Sequence, residues 1–75
     1  MSMSYAESRR DSKKLHIAIL KDFIRMSRDE IAFYQKEISA CHDPEALAML
    51  KELVTITNKE IANNRDEIRR ILNDE

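Results

Sequence analysis

Apolar residues recur in steps of three and four along most of this chain, the spacing that gathers side chains on one face of an α-helix. A first ladder runs Ile17, Leu20, Ile24, Ser27, Ile31, Tyr34, Ile38 and Cys41, in which only Ser27 breaks the apolar character. A second runs Leu47, Leu50, Val54, Thr57, Ile61, Asn64, Ile68 and Ile71, with Thr57 and Asn64 as its polar members. Between them lies Cys41-His42-Asp43-Pro44-Glu45, the one place where a strong helix breaker interrupts the periodicity. Proline fixes its own φ and drives the preceding residue toward an extended conformation, so helix one is expected to end near His42. Asp43 then suits the N-cap of helix two, Pro44 its first helical position, and Glu45 the positive end of its dipole.

The pattern predicts an all-α antiparallel two-helix hairpin over residues 12–75 with its bend at 41–45, preceded by a polar, partly frayed segment over 1–11. Ser4-x-x-Glu7 has the spacing of a capping box, and Ser8 or Ser12 offers a later start, so helix one is expected to begin between Tyr5 and Lys13, with fraying over 1–4. Folding about the bend pairs positions whose numbers sum to 88. Ser27 then faces Ile61, Ile31 faces Thr57 and Ile24 faces Asn64.

A second row flanks each ladder: Ile19, Phe23, Met26 and Phe33 on helix one, and Met49, Leu53 and Ile56 on helix two. Two helices need only a narrow seam between them, and this stripe is wider than that. The hairpin is therefore expected to bury a second face against a copy of itself, as a homodimeric four-helix bundle or a larger oligomer. Size points the same way. With 75 residues, no Trp and a single Cys, the chain can build only a small core and no internal disulfide, and association is the usual remedy.

Charge alters the picture less than its distribution does. The formal net charge is −1, which gives no overall field for nucleic acid or an anionic membrane, so neither is an expected partner. Residues 1–28 carry seven basic side chains against three acidic, and residues 29–75 carry six against eleven. The hairpin places Arg9, Arg10, Lys13 and Lys14 at the open end together with Arg69 and Arg70, as a solvated end or an anion site. The N-terminal stretch lacks the apolar core of a secretory signal, no apolar run approaches the ~20 residues that span a bilayer, and a cytoplasmic location is expected. No addressing tail is expected after helix two.

The stretch from Glu30 to Glu45 resembles the ferritin-like superfamily, in particular rubrerythrin-type proteins and the encapsulated ferritins. The resemblance rests on Phe33-Tyr34-Gln35, Ala40-Cys41, the Asp43-Pro44-Glu45 bend and the continuation Lys51-Glu52-Leu53, and extends over residues 16 to 72. It implies a hairpin that forms a four-helix di-iron site by dimerising, with one Glu from the first helix and a Glu-x-x-His from the second. Counted from Tyr34 and Pro44, those ligand positions are occupied here by Ser27, Thr57 and Glu60. Hydroxyls are poor iron ligands, so the family's site is absent as written. No cofactor is expected, and the alternative is iron in a remodelled site built from Glu30 and Glu60, one step from the seam.

The remaining candidates, His42 apart, admit two readings. His16 is a surface or partly buried histidine, or a ligand near the open end; His42 is a polar residue of the bend. Cys41 is a small seam residue or a redox-active thiol. Asn64 is a register-setting polar core residue or a chemical group. No nucleophilic triad is arranged by the sequence, and the absence of Gly removes phosphate-cradling loops. Two functions follow as expectations: a non-catalytic ferritin-like structural or interaction module with an unidentified protein partner, or an iron-binding protein with a carboxylate site.

Overall fold

A computed structural model of the chain describes residues 5–74, with side chains from Arg9 onward. It consists of α1, Tyr5–Ala40, and α2, Pro44–Asn73, packed against each other as a hairpin. The molecule measures 61 × 22 × 12 Å, a single layer two helices wide. The Ser4–Glu7 capping box and the fraying expected over 1–4 lie outside the described residues. The helix is already formed at Tyr5, the early edge of the interval expected for its start.

The bend is built as the proline dictates. Asp43 is the N-cap of α2 in an extended conformation (φ −89°, ψ 121°), and its carboxylate accepts a hydrogen bond from the Ala46 amide at 3.3 Å. Pro44 opens the helix and Glu45 sits in its first turn. Helix α1 stops at Ala40, two residues before the position expected from the proline alone. The Cys41 amide donates to the Ile38 carbonyl at 3.2 Å, a tightened last turn that frees Cys41, His42 and Asp43 to form the link.

Every position of the two ladders is buried or half-buried. The most enclosed are Leu20, Ile24, Ser27, Thr57 and Ile61, which lie around the middle of the hairpin. The register follows the sum-to-88 pairing: Ile17 and Ile71 border one recess, and the Lys13 ammonium donates to the Asp74 carbonyl across the open end. The core is small. Among the described residues only Leu20, Ile24 and Ile61 are buried apolar side chains, while Ile19, Phe23, Met26, Phe33, Met49 and Ile56 of the second row are all exposed in the single chain. Leu53, the remaining member, is half-buried. Leu15 and Leu72 are further exposed apolar residues that the two-row pattern does not contain.

Exposed ion pairs decorate the helices at i, i+3 spacing: Asp22 with Arg25, Asp66 with Arg69 at 3.1 Å and Glu67 with Arg70 at 3.0 Å. Such pairs contribute little to stability, on the order of a few tenths of a kcal/mol each. No helix among the described residues is long and apolar enough to cross a membrane.

Candidate functional site

The polar members of the ladders define the middle of the hairpin. Thr57 is 4% exposed, and its hydroxyl donates to the Leu53 carbonyl one turn earlier at 2.8 Å. That bond satisfies the hydroxyl within its own helix, the usual solution for threonine inside a helix. Ser27 is 7% exposed and borders a recess of about 370 Å³ on one side of the layer. Among the described residues, no fully buried side-chain oxygen or nitrogen lacks a hydrogen-bond partner.

The recess is where the sequence-predicted carboxylates come together. Phe23, Met26 and Glu30 approach it from α1, and Glu60, Asn63 and Asn64 from α2. Glu30 and Glu60 thus face the same space, although both are exposed, and Ser27 lies beside them. Thr57, one turn before the level of Glu60, is turned into the seam and does not border the recess. Two carboxylates and two amides form a polar patch. A single chain supplies too few acidic ligands for a metal cage, and among the described residues no group of three or more His, Cys, Asp or Glu side chains could hold a metal ion. Asn63 was not singled out by the ladders, but it continues the second row from Ile56 through Glu60 at helical spacing.

The recess also shows that the second row turns polar along α2. The row reads Ile19, Phe23, Met26, Glu30, Phe33 on α1 and Met49, Leu53, Ile56, Glu60, Asn63, Glu67 on α2. Its apolar part crosses the layer obliquely, from the open end of α1 to the bend end of α2.

Other candidates are kept apart by the fold. His16 is exposed on α1, and His42 is exposed in the link. The Cys41 thiol is half-buried and donates to the Asp43 carbonyl at 3.5 Å, tying the link together. Phe33 and Tyr34 meet edge to face, with ring centroids 6.0 Å apart; Tyr34 turns into the seam and Phe33 out of it. At the open end, Arg9, Arg10, Lys13 and Lys14 surround a recess of about 480 Å³ whose apolar floor is Ile17, Ile71 and Leu72. Arg69 and Arg70 are engaged by Asp66 and Glu67 on their own helix.

No protein-family model, curated protein or solved structure matches this chain. The two-helix architecture and the arrangement of these side chains are what bear on its function.

Proposed function

We propose that the chain is a ferritin-like hairpin acting as a non-catalytic structural or interaction module, closing on a second copy as a four-helix bundle. The observation that carries this reading is the exposed apolar row on one side of a layer two helices wide and only one helix thick. Six large apolar side chains in water are costly, and covering them contributes roughly 1.5–3 kcal/mol for each one fully buried. The hydroxyls of Ser27 and Thr57, at the positions where the resemblance calls for iron ligands, favour a module without redox chemistry. Sedimentation equilibrium tests it. A species of twice the 8.8 kDa chain mass, unchanged by a chelator or by added ferrous iron, is expected. A monomer at tens of micromolar would remove the basis of the reading.

A second reading is favoured by one observation, the shared recess of Glu30 and Glu60. Two copies would supply four carboxylates, a donor set suited to iron. Anaerobic ferrous titration followed by oxygen separates the two. Saturable binding that Glu60→Gln abolishes supports a remodelled iron site; uptake no different from a protein-free control supports the structural module.

A further inference from the structure

The oblique apolar stripe restricts how a second copy can cover it. It starts at Ile19 near the open end of α1 and finishes at Met49, which the register puts level with Ser39 near the bend. A stripe that crosses the layer at an angle is superposed on its own copy by an in-plane two-fold axis running either along it or across it. The first choice makes the two hairpins parallel, with bend beside bend. The second makes them antiparallel, with each bend beside the other copy's open end. Either choice crosses the hairpins at a shallow angle, compatible with the ~20° packing of helix bundles. Either also gathers Glu30 and Glu60 of both copies, because the midpoint of the stripe falls level with Asp29 and Lys59.

Charge separates the two. Residues 28–60, the bend half, carry four basic and seven acidic side chains; residues 1–27 and 61–75, the open half, carry nine basic and seven acidic. A parallel pair sets two acidic halves side by side, and an antiparallel pair sets each acidic half beside a basic one. Complementary charge fixes the orientation of an interface even where it adds little affinity. An axis at the level of Asp29 also brings the bend of one copy level with Lys13 and Lys14 of the other, where the cations around the open-end recess are concentrated.

Resting on the dimer reading above, we propose that the second copy docks antiparallel on the stripe through Ile19, Phe23, Met26, Phe33 and Ile56, with Asp43 and Glu45 of the partner subunit at the basic open end. The orientation has a direct readout because the sequence contains one cysteine. A nitroxide label on Cys41 places one spin at the bend of each copy for a pulsed dipolar distance measurement. Cys41 lies twelve positions from the level of the axis, so at 1.5 Å per residue the antiparallel pair separates the two sites by about 36 Å. A parallel pair keeps them within about 20 Å, roughly two interhelical spacings. Because Cys41 is half-buried, His42→Cys in a Cys41→Ser background repeats the measurement from an exposed site. A long distance from both labels is the expected result. A short one would overturn the antiparallel orientation while leaving the dimer intact. A monomeric mass in sedimentation, with no dipolar coupling, would overturn the dimer itself.

Discussion

The Thr57 hydroxyl donates to the Leu53 carbonyl at 2.8 Å, inside one helix and with almost no exposure to solvent. A carbonyl in mid-helix already accepts the amide four residues on, so this bond is an addition to the helical ladder and nothing across the seam depends on it. Thr57→Val, which keeps the shape and removes the hydroxyl, should therefore change stability by less than about 1 kcal/mol. Urea unfolding measures it. A loss above about 2 kcal/mol would mean that the hydroxyl serves something beyond its own helix.

Ile61 lies across the seam from Ser27 by the register and is 6% exposed, one of three buried apolar side chains among the described residues. With so few enclosed residues, truncation cannot be absorbed elsewhere. Ile61→Ala should cost about 2–5 kcal/mol and lower the urea midpoint without changing the slope. An unchanged midpoint would show that the middle of the hairpin is not its core.

The Asp43 carboxylate caps α2 through the Ala46 amide. Asp43→Ala should cost about 1 kcal/mol, and Asp43→Asn much less, because asparagine caps nearly as well. Equal losses from the two substitutions would indicate that the charge rather than the cap is at work.

Phe23 and Met26 stand about half exposed beside the central recess. If that face closes on a second copy, Met26→Glu should convert the dimer to a monomer at micromolar concentration while helicity by circular dichroism is retained wherever the monomer remains folded. Ala32→Glu, on an exposed residue of α1 turned away from the row, should leave the mass unchanged and serves as the control. A Met26→Glu protein that still sediments as a dimer would place the interface elsewhere.

Both helices, the cap at Asp43, the proline at the start of α2 and the seam register were legible in the chain. Each depends on local geometry or on a 3.6-residue period that the sequence displays directly. The end of α1 at Ala40 was less so, because the tightened turn at Ile38 and Cys41 is a choice among backbone hydrogen bonds rather than a matter of residue type. The candidate site divides in the same way. That Ser27 and Thr57 occupy core positions could be read from the ladder steps. That Ser27 opens toward a recess while Thr57 bonds back to its own helix could not, since both are hydroxyl residues at equivalent seam positions.

The sequence by itself determined the two helices, the bend and which faces are apolar, because these follow from spacing and from what proline and aspartate do to the backbone next to them. Only the tertiary structure decided that Glu30, Glu60 and Asn63 share one recess, that Lys13 reaches the Asp74 carbonyl, and that Leu53 withdraws toward the seam while its row-mates remain exposed. These depend on how closely two helices approach and on which rotamers then fit between them. Such distances and rotamers are set by the packed pair, and neither helix encodes them alone.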